Sequence, residues 1–422
     1  MAEASSAPPA VARHGALPAT LLNISFVLAI VTLAYFPTAY LTHVWIFGAD
    51  GRGIPTDFVN VWAAGKLALE GHPALAWDWD IQKQVELALL KQDFVGHFAW
   101  HYPPPFLFVA SFLAQFPYAV AFIGWAAFSM VPYLAVMRAI IGRNAGLVLA
   151  IGFPATFINI LVGQNGFLTA SLIGGMLYLL PTRPVLAGIC LGLLSYKPQY
   201  GLLFPLVLIA AAEWTVLITA AIVTVTIAGA SWLAFGTESW QAFFHWIPMF
   251  SQAFLTEGRA PWFKMQSIFA FVRYVGGTEQ LGWIFQWVLT AAVAVVLVVM
   301  WRSRVPYALK AAMLAAATLL TTPYLFMYDL VVLGIAVAFL IRAGLDEGFA
   351  RHEVMALALV FALLATFLFL GQPVGFPAIL IVFGLILGRC AAWRAAEARA
   401  AEAASMQLAA GTYIPDTTRY EI

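Results

Sequence analysis

Charge is what this sequence has least of. Only 10% of its 422 residues are Asp, Glu, Lys or Arg, where a soluble domain carries roughly a quarter. A water-exposed globule of this size is therefore excluded. Acids and bases also balance, 20 against 21, so no basic face offers itself to nucleic acid. Cysteine is nearly missing. Cys190 and Cys390 lie in or beside apolar runs, with no C-x-x-C pair and no His/Cys ligand spacing, and read as small buried hydrophobes. A P-loop, a G-x-G-x-x-G after a strand, a G-x-S-x-G elbow and an Arg-rich helix are all absent. So is any pair of matching Gly/Pro-interrupted spans of the kind that marks inverted-repeat transporters.

What is there is apolar. Hydrophobic residues make up 63% of the chain, with 33 Phe, 15 Trp and 14 Tyr, the composition of an all-α polytopic membrane protein with aromatic residues at its interfaces. The first run, Leu21 to Phe47, is too long for a signal-peptide core and has no small-residue cleavage site after it, so it reads as an uncleaved span. Candidate spans follow at 118–140, 146–162, 166–181, 184–196, 199–213, 214–235, 280–301, 307–324, 328–343, 354–371 and 375–392. With 21–46 they make about twelve, several short by the usual length rule. Segments 104–116 and 266–275 are apolar but shorter still, and read as half-helices or re-entrant pieces. Alternation puts Arg13, Arg138, Arg143, Arg183, Arg302, Arg304, Lys310, Arg342, Arg351, Arg389, Arg394 and Arg399 on one side. The positive-inside rule makes that side cytoplasmic, with both termini.

No internal repeat or low-complexity linker divides the chain, which predicts one transmembrane domain over 1–393. Residues 394–410 predict a cytoplasmic surface helix and 411–422 a disordered tail. Two long segments, 48–103 and 236–265, face the other side. In the first, Thr56 is placed to cap a helix running from Asp57 to Gly71-His72-Pro73. A second helix runs from near Asp78 or Asp80 to about Asp93, with Ile81, Val85, Ala88 and Leu89 on one face. Both are expected to lie flat at headgroup level as amphipathic helices. The second segment carries Trp240, Trp246 and Trp262 with Arg259 and Lys264.

Ionisable groups at membrane depth are functional candidates. Asp57 reads either as a carboxylate able to take a proton from a substrate hydroxyl or as an acid complementing a helix dipole. Lys197, in Ser195-Tyr196-Lys197-Pro198-Gln199-Tyr200, stands where proline breaks the helix between two short spans. It reads as a phosphate ligand facing a wet cavity or as a lysine reaching for the interface. Gln164 and Asn165, between Gly163 and Gly166, supply amides that can bind sugar hydroxyls, or form a plain turn. His101 and Tyr102, before Pro103-Pro104-Pro105, can stack on a sugar ring. In Thr322-Pro323-Tyr324 leading to Tyr328-Asp329-Leu330, Asp329 is a helix cap or a second cavity carboxylate. Gln199, Tyr324 and Tyr328 complete the candidate substrate contacts. No metal cluster is visible.

Taken in order, these pieces resemble glycosyltransferase family 87, integral-membrane enzymes of the GT-C superfamily. The segment Asp57-Phe58-Val59-Asn60-Val61-Trp62-Ala63-Ala64-Gly65 is similar to the family's early Asp-x-x-x-x-Trp-x-Ala-Gly motif. It is followed by Tyr102-Pro103-Pro104, Gly163-Gln164-Asn165, Gly188-Ile189-Cys190-Leu191-Gly192 before Lys197-Pro198-Gln199, and Thr322-Pro323-Tyr324 before Tyr328-Asp329-Leu330, over about residues 20–345. The resemblance implies a GT-C fold in a bacterial inner membrane with its active site on the non-cytoplasmic face. It also implies a polyprenyl-phosphate sugar as donor, a lipid or glycan as acceptor, and Asp57 as base. Actinobacterial members are mannosyltransferases and carry a His-containing motif where this chain reads Tyr324-Leu325-Phe326-Met327-Tyr328-Asp329. The expected reaction is an inverting sugar transfer without cofactor. Lys197, aided by Arg259 or Lys264, is expected to hold the leaving phosphate. Rival readings are a transporter or lipid flippase built on a Lys197–Asp329 pair, and a non-catalytic scaffold.

Overall fold

A computed structural model describes residues 15–409. Among them the chain is helical apart from one two-residue hairpin, Val44–Trp45 with Phe47–Gly48. Seven helices are long and apolar enough to cross a membrane, and a pair bent by 54°, Ala145–Ile151 and Pro154–Val162, brings the number to eight if it forms one span. The protein is a polytopic α-helical membrane protein. Exposed apolar side chains such as Phe26, Ile30, Ile222, Leu233, Trp287 and Val295 face outward from the long helices Ala19–Leu41, Trp214–Ser251 and Glu279–Trp301. That is how a lipid-facing ring is built.

The expectation of twelve spans is not met by length. Segments expected at 166–181, 184–196, 199–213 and 307–324 form shorter helices, among them Gly166–Leu179, Pro184–Leu193 and Tyr307–Leu320. At about 1.5 Å per residue a 14-residue helix reaches only ~21 Å, short of the ~30 Å hydrocarbon core. One of them is interior instead. Tyr307–Leu320 presents Ala311, Ala312, Ala315, Ala316 and Ala317 to its neighbours, and Val331–Glu347, buried along nearly its whole length, packs against it. Small side chains let helix backbones approach where lipid supplies no hydrophobic drive.

One end of the bundle gathers arginines. Arg389 donates to both carboxylate oxygens of Glu353 (2.7 and 2.8 Å) and to the Gly348 carbonyl, while the Gly15 amide donates to the Leu345 carbonyl at 2.7 Å. Residues 394–409 do not form a helix of their own, because Gly375–Ala409 continues unbroken through them. The expected tail at 411–422 and Arg13 lie outside the described residues.

The other end carries the long connections, and they fold inward. Helix Phe58–Leu69 is covered by protein, not by lipid headgroups alone. Most of its faces are buried, and it packs on Leu107–Leu113 so closely that a Cβ at Gly65 would stand 2.0 Å from the Ala110 carbonyl oxygen. The following helix, Trp79–Leu90, is capped by Asp78, which accepts from the amides of Asp80 and Ile81 at 3.1 Å, and stops at left-handed Lys91. Its buried stripe is Gln82, Glu86 and Leu90, not the apolar stripe at 81, 85, 88 and 89. The reason is pairing within the segment: the Gln82 amide donates to the Asn60 carbonyl at 2.8 Å, turning the polar face toward protein. Segment 236–265 also departs from expectation. Helix Trp214–Ser251 runs past residue 235 through a kink at Gly236 (φ 77°) and ends in a π-helical turn, Gln252–Thr256. Met265 then bridges Phe326 in antiparallel fashion, tying this loop to the late junction.

Candidate active site

Asp57 occupies the N-cap of helix Phe58–Leu69, yet its side chain makes no capping hydrogen bond. Its Oδ2 accepts instead from Gln164 Nε2 at 3.4 Å. Gln164 is itself oriented: its Oε1 accepts from the Tyr102 hydroxyl at 3.0 Å and from the Asn165 amide at 3.3 Å. An amide whose oxygen is twice occupied must turn its NH₂ toward the carboxylate. The turn holding Gln164 is fixed by Asn159, whose Oδ1 accepts from the Gly166 amide at 2.8 Å. A Cβ at Gly166 would lie 2.3 Å from the Tyr328 carbonyl oxygen, so glycine here lets the early turn close on the late junction. Beside it the Asn165 side chain is buried, and neither its oxygen nor its nitrogen finds a partner among the described residues.

Lys197 stands at the helix break that Pro198 imposes, between the 3₁₀ turn Leu194–Tyr196 and the short helix Pro198–Gly201. Its φ of −130° and ψ of 71° keep it out of the helical region, as a residue before proline must be. Its Nζ donates to Asp329 Oδ1 at 2.6 Å, and both side chains are at most 3% exposed. The ammonium lies 5.2 Å from the Tyr328 ring and 5.6 Å from that of Tyr200. Asp329 Oδ2 accepts from the Phe326 amide at 3.2 Å. Charges this deep persist only when paired and hydrogen-bonded on all sides.

The two halves share one electrostatic environment. Burial pushes the Asp57 carboxyl up from its ordinary range, the hydrogen bond from Gln164 and then the charge of Lys264 pull it back, and the Asp329 charge raises it again. Burial likewise drives the His101 ring down to about 4, leaving it neutral at physiological pH. Its ring lies 4.3 Å from that of Tyr102. As the Nδ1–H tautomer it donates to the Ala99 carbonyl at 3.1 Å. The Tyr102 phenol is raised by burial and remains a proton donor. The arrangement therefore offers a poised carboxylate, oriented amides, neutral aromatic walls and a buried charge pair.

The remaining candidates divide. Lys264 is exposed and makes no ion pair among the described residues, and its charge reaches Asp57. Lys197 is not a free cation, since Asp329 occupies it. Arg259 lies elsewhere, paired with Glu257 at 2.7 Å and set over the Trp79 ring. Gln199 is half-buried and makes no side-chain hydrogen bond among the described residues. Tyr324 packs in a small apolar cluster with Leu255, Met265 and Phe269, not on Asp329. Three polar residues escaped the sequence reading. Tyr196 and Tyr200 flank Lys197, and the Tyr196 hydroxyl meets that of Thr169 at 2.6 Å; their spacing around the Lys-Pro break was the available signal. Glu86, fully buried with neither oxygen partnered among the described residues, had none. Among the described residues no three His, Cys, Asp or Glu side chains converge as a metal-ligand set.

Compared with known proteins, residues 100–323 match the model of glycosyltransferase family 87, more than half of the chain. No curated protein and no solved structure matches it. The matched region takes in His101, Tyr102, Gln164, Asn165 and Lys197, while Asp57 and Asp329 fall outside it.

Proposed function

Because the chain belongs to glycosyltransferase family 87, and is thus a glycosyltransferase embedded in the membrane, we propose that it transfers a sugar from a polyprenyl-phosphate donor. The sugar is mannose or another hexose or pentose, and the acceptor a lipid or glycan on the periplasmic side of a bacterial inner membrane. The arginine-rich end then lies in the cytoplasm with both termini, and the Asp57 end faces outward.

One observation carries the reading: a carboxylate at a helix start that declines to cap the helix and is held by an oriented amide. Asp57 removes the proton from an acceptor hydroxyl. The acceptor oxygen attacks the anomeric carbon, and the bond from that carbon to the phosphate oxygen breaks with inversion. Its electrons leave on the polyprenyl phosphate. A glycosyl phosphate is already activated, so the site's task is to orient groups and stabilise the departing charge. Lys264, whose charge acts on Asp57, is the cation we assign to that phosphate. Lys197 keeps its Asp329 partner and holds the late junction against the early turn. Tyr102, Gln164 and Asn165 surround the acceptor, and the unpartnered amide of Asn165 is available to a sugar hydroxyl. The transporter reading used the same Lys197–Asp329 pair; family membership favours chemistry over transport.

The test is sugar transfer by the purified protein from a labelled polyprenyl-phosphate sugar. Asp57→Asn keeps the shape and removes the base, and is expected to lower transfer by about 10²–10⁴-fold while leaving the thermal transition in place. Unchanged transfer removes Asp57 from the mechanism.

A further inference from the structure

Outside the cluster around Asp57, an open groove of about 500 Å³ runs between helix Trp79–Leu90 and the end of helix Trp214–Ser251. Two indoles form its wall: the Trp79 and Trp246 rings lie 5.5 Å apart at 33°. Arg259 lies 5.4 Å over the Trp79 ring, and its Nε is 2.7 Å from Glu257 Oε2. Gln252 lines the same groove at the start of the π-helical turn, a local distortion often found at binding sites. The Trp79 indole N–H finds no acceptor among the described residues.

The groove is joined to Asp57 by touching side chains. Trp79 meets Phe250 at 5.4 Å, Phe250 meets His101 at 6.1 Å and His101 meets Tyr102 at 4.3 Å. Tyr102 holds Gln164, which holds Asp57. A line of packed aromatic side chains thus connects the groove's wall to the group that holds the candidate base.

We propose that this groove binds the distal sugars of an oligosaccharide acceptor, whose terminal residue reaches Asp57. The proposal rests on the sugar-transfer reading and names the class of its acceptor. Apolar sugar faces stack on the indoles, and the groups that flank them, a guanidinium, a carboxylate and an amide, bind ring hydroxyls. A polyprenyl chain does not suit the same surface, because it would strip water from the exposed Arg259–Glu257 pair and the Gln252 amide and offer no polar group in return.

The experiment has two readouts. Equilibrium binding of glucan, mannan and galactan tetrasaccharides to the detergent-solubilised protein is compared between wild type, Trp246→Ala and Arg259→Ala. Transfer is measured in parallel to a monosaccharide glycoside and to the tetrasaccharide that binds. Each variant is expected to weaken tetrasaccharide binding about tenfold, in line with the loss of one aromatic or charged contact. KM for the long acceptor rises by a similar factor, and transfer to the short acceptor is unchanged. If no tetrasaccharide binds, if the variants bind it as wild type does, or if short and long acceptors lose equally, the groove has no such role. Binding that depends on Trp246 in a wild-type protein that transfers no sugar would keep the groove and discard the transferase mechanism instead.

Discussion

Two polar clusters are buried at the Asp57 end of this molecule, and they are built on opposite plans. In one, Lys197 and Asp329 face each other at 2.6 Å, with Asp329 also accepting from the Phe326 amide. In the other, Glu86 is fully buried and neither of its oxygens, nor Asn60 Oδ1 or Gln82 Oε1, finds a hydrogen-bond partner among the described residues. In the first each group has a partner. The second keeps no charge: burial pushes the Glu86 carboxyl up to about 9, so it is neutral at physiological pH. A buried acid is thus no sign of function by itself; its partners decide whether it is an anion or a neutral donor.

The largest effect is expected at the partnered pair. Lys197→Met leaves Asp329 buried and alone, and removing one member of such a pair costs about 3–5 kcal/mol. The double variant Lys197→Met, Asp329→Leu removes both charges and is expected to regain most of that loss. Thermal unfolding in detergent measures both. A double variant as unstable as the single would show that the pair is no unit.

Glu86 gives the opposite test. Its folded pKa lies near 9 against an ordinary 4.5, so between those values the unfolded chain is ionised and the folded one is not. The stabilisation is complete below pH 4.5 and is lost as pH rises toward about 9, at a slope of at most ~1.4 kcal/mol per pH unit. Glu86→Gln is expected to flatten this dependence and to be more stable than wild type at pH 8. A wild-type transition temperature that does not move between pH 5 and 9 would rule out the neutral acid.

The contrast also explains what the sequence could and could not reveal. The long spans announce themselves through apolar length, and the breaks at Pro198 and in Gly163-Gln164-Asn165-Gly166 through residues that cannot continue a helix. Asp57 and Lys197 stood out because charge at membrane depth is rare. Pairing is a different kind of fact. That Lys197 belongs to Asp329, 132 residues away, leaves no local mark, and neither does the burial of Glu86 on a helix whose alternate face is more apolar. What covers the faces of helices Phe58–Leu69 and Trp79–Leu90 is hidden for the same reason. Helical periodicity shows that a helix has a face to bury; it does not say whether lipid or protein will cover it, and the close approach of Gly65 to Ala110 is visible only in the fold. Arg259 joined the phosphate set on charge alone, without any knowledge of Glu257 and Trp79.

The smallest effects concern how Asp57 is tuned. A base works when deprotonated, so transfer is lost as pH falls through the Asp57 pKa. Burial holds that pKa high, and the Gln164 hydrogen bond opposes burial more than Lys264 does. Gln164→Leu is therefore expected to move the acid limb of the rate profile toward higher pH. Lys264→Met moves it the same way by less, because an exposed ammonium acts through solvent. That difference gives a further handle. Added salt screens charges reaching through water but leaves a buried hydrogen bond intact. Raising the ionic strength should shift the wild-type limb toward that of Lys264→Met, and leave the separation between wild type and Gln164→Leu largely in place. A limb that ignores both substitutions would mean that a group other than Asp57 sets the pH dependence.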